Sequence, residues 1–215
     1  MNFLAHLVLA ERVDGDAAFL MGSLLPDFAR GRFDDLEPAV TRGAAMHRWV
    51  DRVTDSHPVA SATRQRLRPV HGRFAGILAD VIYDHCLAAA FTDWSDTQLD
   101  RAIEHYHAAI ASTIDYAPAP ARPGLRRLVE AGWMKSYADR EGMRSILELM
   151  QMRFASRFGR EVRLNHAIDT YAQQAAAIDA DFRAFFGELI ARVDAEAAQW
   201  CPHHTKTPQP PEAAA

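Results

Sequence analysis

Phe74-Ala75-Gly76-Ile77-Leu78-Ala79-Asp80-Val81-Ile82-Tyr83-Asp84-His85-Cys86-Leu87-Ala88-Ala89-Ala90-Phe91 decides the fold class. Phe74, Ile77, Leu78, Val81 and Ile82 recur at three- and four-residue spacing, which gathers them on one side of a helix but scatters them over both faces of a strand. The same spacing runs over most of the chain, and alternating β-branched runs are absent, so the fold class is all-α, a single helical-bundle domain. Outward from this segment, a short helix is expected around Phe3–Leu9 and another over Ala17–Leu25, ended by Pro26. Further helices are expected over Leu36–Asp55, Val59–Arg68 and Asp96–Ile114, the last capped by Ser95 or Asp96. The prolines of Ala117–Gly124 predict a loop. Beyond it, helices are expected over Leu125–Gly132, Asp139–Phe158, Arg163–Asp179 and Asp181–Trp200.

The 215 residues, 49% hydrophobic and 24% charged, suit one globular domain over 1–201. Residues 202–215 carry four prolines and no core pattern, which predicts a disordered tail. No apolar run reaches the roughly 18 residues of a membrane span. The start Met1-Asn2-Phe3-Leu4-Ala5-His6 lacks a basic secretory leader, and Cys86 and Cys201 form no disulfide framework; both point to the cytoplasm. A net charge of −4 argues against a general nucleic-acid binder. Arg64, Arg66, Arg68 and Arg73 nevertheless fall in a stretch without acids from Ser56 to Ala79, as do Arg122, Arg126 and Arg127 from Tyr116 to Val129. Each stretch is either a docking surface for an acidic partner or an ordinary solvated face.

Seven His and Asp residues lie on or beside apolar helical faces: His6, Asp27, His47, Asp51, Asp80, Asp84 and His85. His47 and Asp51, and Asp80 and Asp84, are four apart and so one turn apart on one side of a helix. Packed around a common axis, such segments place imidazole and carboxylate donors in a bundle core. Nitrogen and oxygen donors without thiolate suit Mn²⁺, Fe²⁺, Mg²⁺ or Zn²⁺. Bland readings stand beside this one: a satisfied core histidine at His6, a helix cap at Asp27, an intrahelical ion pair at His47 and Asp51. Asp80 and Asp84 repel each other on a helix with buried neighbours, which favours a cation between them. Sequences for a P-loop or a nucleophile elbow are absent.

Met1-Asn2-Phe3-Leu4-Ala5-His6-Leu7, Gly22-Ser23-Leu24-Leu25-Pro26-Asp27-Phe28, His47-Arg48-x-x-Asp51-x-x-Thr54-Asp55 and Asp80-x-x-x-Asp84-His85 occur in this order. Together they resemble the bacterial acyl carrier protein phosphodiesterase family, also called acyl carrier protein hydrolase. The resemblance is densest from Met1 to about Leu87 and departs from the family at Ser23, where the family carries asparagine, and at Pro26. It implies an all-helical protein distantly related to HD-domain phosphohydrolases. The implied reaction hydrolyses the phosphodiester joining 4′-phosphopantetheine to a serine of holo acyl carrier protein, usually with Mn²⁺.

On this reading Asp27, His47, Asp51 and Asp84 are the expected catalytic residues, and the metal shells draw on these with His6, Asp80 and His85. Arg30 and Arg48 are candidates for a phosphate oxygen, and Arg64, Arg66, Arg68 and Arg73 for the acidic carrier protein. Two other classes remain open at this point: an HD-like hydrolase of a nucleotide or other small phosphoester, and a non-enzymatic helical binding module.

Overall fold

The computed structural model describes residues 1–159, 163–164 and 166–201, and these form a helical bundle without strands. The expected tail, 202–215, lies outside the described residues. Among the described residues no helix is long and apolar enough to cross a membrane.

Two helices are buried almost all round and form the centre. In α1 (Phe3–Val13), every residue from Leu4 to Ala10 is buried, and in α6 (Ala75–Ala89) every residue from Val81 to Ala88 is. A helix apolar on all sides has no solvent face to offer, so its polar residues must find partners inside the protein. His6, Asp84 and His85 are such residues.

Around this pair pack α4 (Pro38–Ser56), α5 (Pro58–His71) and α10 (Ala167–Glu196). Helix α2 (Ala17–Gly22) lies against α4, where Gly22 and Gly43 let the backbones meet. A Cβ on Gly43 would collide with the Phe19 carbonyl oxygen, and one on Gly22 with that of Val40. This contact fixes α4, and with it His47, against the 23–28 segment. Helices α7 (Leu99–Thr113), α8 (Arg122–Glu130) and α9 (Arg140–Phe158) complete the bundle.

Several boundaries differ from expectation for identifiable reasons. The helix expected over Ala17–Leu25 ends at Gly22, and a separate turn, α3 (Leu25–Phe28), takes Pro26 in its first turn, where a missing N–H costs nothing. Likewise Pro123 sits in the first turn of α8, so that helix starts inside the expected loop. The expected cap at Ser95 or Asp96 is displaced, with α7 opening after Gln98. The two helices expected after Arg163 are one: Asp181 does not cap a new helix but accepts hydrogen bonds from Thr63 Oγ1 (3.0 Å) and Arg66 Nε (3.2 Å), and α10 runs through it.

Candidate functional site

The N-terminus of α1 is closed by two side chains. Asn2 Oδ1 accepts the Phe3 N–H (3.1 Å), and Asp84 accepts the N–H groups of Leu4 (2.9 Å, Oδ2) and Ala5 (3.3 Å, Oδ1). These amides have no partner within the helix, and a carboxylate there also meets the positive end of the helix dipole. Burial pushes the Asp84 carboxyl up to about 7, against the pull of the Leu4 amide. Both Asp84 oxygens accept from the backbone of α1, and Asp84 aims that helix so that His6 faces α4; its donor atoms are not among those that cluster with His6.

There His6 meets His47 and Asp51. The two imidazoles stack with centroids 3.8 Å apart. Asp51 Oδ1 lies 3.3 Å from His6 Nε2, and Asp51 Oδ2 lies 3.1 Å from His47 Nε2. Asp27 Oδ1, on the single turn of α3, is 3.9 Å from the same His47 nitrogen. His47 Nδ1–H donates to the Ser23 carbonyl (2.6 Å), which leaves Nε2 to face the carboxylates. Donor atoms of His6, His47 and Asp51 all lie within 4.8 Å of one another.

The charges follow from the packing. Burial, then the charge on His47, hold His6 down to about 3, so it is a neutral imidazole at neutral pH. Burial disfavours the His47 imidazolium, but its hydrogen bond to Asp51 and the charges of Asp27 and Asp51 outweigh it and raise its pKa. Burial also opposes ionisation of Asp51, yet the His47 N–H it accepts and the adjacent His6 hold it below the usual carboxylate range. Burial pushes Asp27 up to about 6 despite the charge on His47.

The donor set fits a divalent cation. His6 Nε2 is buried and has no hydrogen-bond partner, since Asp51 is close but poorly aligned for one. A neutral imidazole nitrogen without a partner, beside a second imidazole and a carboxylate, is the chemistry such an ion requires.

The other candidates have separate places. Asp80 Oδ1 lies 3.2 Å from the Met1 amino nitrogen, which is itself 3.8 Å from Asp51. His85, expected near the metal, instead donates from Nδ1 to the Tyr137 carbonyl (2.8 Å), with its ring edge-on to Tyr171. Arg48 donates to the Gly31 carbonyl (2.6 Å) and lies over Phe33, so it braces the loop before α4; Arg30 is exposed. The acid-free stretch is not acid-free in space. Arg64 bonds the Asp55 carbonyl and Arg66 pairs with Asp181, while Arg68 and Arg73 are exposed.

A cavity of about 250 Å³ opens beside the cluster, with Asp27 and Asp80 in its wall. Ile77, Trp133, Leu149 and Met150 line it with apolar groups, and Tyr137 and Arg153 line it too. Sequence reading missed this tyrosine. Its only signal was the neighbouring Gly132-Trp133-Met134 segment.

No solved structure matches the chain. The chain is 32% identical to the acyl carrier protein phosphodiesterase of Photorhabdus laumondii over 196 residues, 90% of this chain and 96% of that protein. It is 35% identical to the acyl carrier protein phosphodiesterase of Salmonella newport over 156 residues, 71% of this chain and 79% of that one. The model of the acyl carrier protein phosphodiesterase family matches residues 1–189, and the chain belongs to that family.

Proposed function

We propose that the protein is a phosphoric diester hydrolase that removes 4′-phosphopantetheine from holo acyl carrier protein, leaving apo acyl carrier protein, with a divalent cation such as Mn²⁺, Mg²⁺ or Fe²⁺. The observation that carries this reading is the convergence of His6, His47 and Asp51 beside a cavity, in a chain of this family. These three residues would hold the cation, with Asp27 next to them. When bound, such an ion acidifies water and neutralises charge on phosphoryl oxygens.

The protein's own groups do the rest. Asp27, open to the cavity, accepts a proton from the water that attacks phosphorus; the bond from phosphorus to the serine oxygen breaks, that oxygen takes a proton from solvent as it leaves, and Asp27 returns its own to solvent. Ser23 holds the His47 tautomer through its carbonyl, and Asp84 holds α1 and thereby His6. The exposed Arg68 and Arg73 form a docking edge for an acidic carrier protein, acting on encounter rate and orientation. The free thiols of Cys86 and Cys201 favour a cytoplasmic setting for this reaction.

The test is incubation of the purified protein and Mn²⁺ with holo acyl carrier protein, followed by intact-mass measurement. The expected result is a carrier protein lighter by one phosphopantetheine; an unchanged mass would refute the reading.

A further inference from the structure

Tyr137 is a fully buried phenol, and among the described residues no acceptor bonds its proton. Its oxygen accepts a hydrogen bond from Asn2 Nδ2 (2.8 Å). The direction of that bond is set by the other end of the same amide: Asn2 Oδ1 already accepts the Phe3 N–H, so Nδ2 is the atom that faces the tyrosine and the phenol oxygen must be the acceptor. The O–H is left over, on a residue that lines the cavity beside the cluster. A buried donor is rarely left without a partner unless a ligand supplies one.

The rest of the cavity says what that ligand is. Asp27 and Asp80 place one end at the reacting centre, while Ile77, Trp133, Leu149 and Met150 make the sides apolar. Its volume of about 250 Å³ admits a flexible chain but no folded partner. A ligand that suits these walls is polar at the cluster end, apolar beside it, and offers an oxygen acceptor within reach of Tyr137. The pantoyl part of 4′-phosphopantetheine has this order: phosphate, a methylene, a carbon bearing two methyl groups, then a hydroxyl and an amide carbonyl.

We propose that this cavity holds the pantoyl end of the prosthetic group, with Tyr137 O–H donating to its hydroxyl or amide oxygen. The assignment rests on the phosphopantetheine reading above and adds the subsite that distinguishes this substrate from a bare phosphodiester. Tyr137 is held for the task at both ends. Asn2 fixes its hydroxyl, and His85, through Nδ1–H, fixes its carbonyl and thus the turn Lys135–Ala138. His85 is accordingly a positioning residue. Burial, with the charges of Asp84 and Asp27, raises the phenol pKa well above the ordinary tyrosine value, so the proton is present at any pH at which the protein works.

The experiment measures calorimetric binding of two probes, 4′-phosphopantetheine and inorganic phosphate, to the full chain with Mn²⁺. Both probes present a phosphate, but only the first reaches the cavity. Wild type should bind 4′-phosphopantetheine at least tenfold more tightly than phosphate. Tyr137→Phe should cut that preference at least fivefold with phosphate affinity within twofold of wild type. Leu149→Trp, at a half-exposed rim position that tolerates bulk, should remove the preference by filling the cavity. Equal affinity of wild type for the two probes would overturn the proposal, and so would an equal loss of both in Tyr137→Phe, which marks a structural role. The mass assay on wild type separates this from the parent reading. Arm removal without a binding preference overturns the subsite alone, whereas a Tyr137-dependent preference without arm removal supports the subsite and overturns the reaction.

Discussion

His6 and His47 stack face to face, with ring centroids 3.8 Å apart and planes 13° from parallel, one from the centre of the bundle and one from α4. Two imidazolium ions cannot share that space. With His47 carrying the proton toward Asp51, burial and the His47 charge keep His6 neutral down to about 3.

The share of stability that depends on His6 should therefore fall on acidification, against Asp84, Asp27 and His47, whose raised pKa values act in the opposite sense. In the unfolded chain His6 titrates near 6.5, so between about 6.5 and 3 the unfolded state binds a proton that the folded state refuses. The contribution is fully present above 6.5 and is lost as pH falls toward 3. Between pH 7.5 and pH 5 the urea midpoint of His6→Gln should change more favourably than that of wild type, the difference being the His6 contribution. An identical slope in that variant would contradict the assignment.

Asp84 and Asp27 should separate stability from activity. Asp84→Ala strips partners from two buried amides at the head of α1 and should cost about 1–3 kcal/mol in denaturant unfolding. Asp27→Ala should stay within about 0.5 kcal/mol of wild type, since its side chain is 35% exposed, yet abolish arm removal.

Removal of a cluster donor should show in ion binding before it shows in chemistry. His47→Ala and Asp51→Ala should each weaken Mn²⁺ binding at least tenfold by calorimetry, the order of loss seen when metal-site side chains are altered. Asp84→Ala, assayed as folded protein, should retain Mn²⁺ affinity within a few fold.

Gly43→Ala should be destabilising although alanine favours helices. Its methyl group would strike the Phe19 carbonyl where α2 crosses α4, and overpacking of this kind costs about 1–3 kcal/mol. Thermal melts of Gly43→Ala and of Gly76→Ala, where a Cβ meets nothing, make the comparison.

Reversal of Arg68 and Arg73 to glutamate should lower kcat/KM for holo acyl carrier protein severalfold and reduce its dependence on salt, because screened long-range attraction is what the change removes. The same reversal at Arg66 should also cost stability, as it turns a pair with Asp181 into a repulsion. Stopped-flow measurements over a salt series would register both effects.

The sequence by itself determined the helices and the short-range pairs. Three- and four-residue spacing is a property of one helix, so the burial of Leu78, Val81 and Ile82, and the reach of His47 to Asp51 one turn away, were legible before any packing was known. The motif that contains Asp27 was legible as well, through its likeness to the family. What Asp84 does was not. A carboxylate at a buried position reads the same whether it meets a cation or the amides of a helix 80 residues earlier in the chain, and only the docking of α1 on α6 chose the amides. The arginine stretch looked unpaired for the same reason, because Asp181 reaches Arg66 across the α5–α10 contact. Tyr137 and His85 carried no local pattern that linked them. Their partnership, and the cavity it lines, exist only because α1, α6 and the turn before α9 converge, and convergence of distant segments is decided by the packing of the whole core.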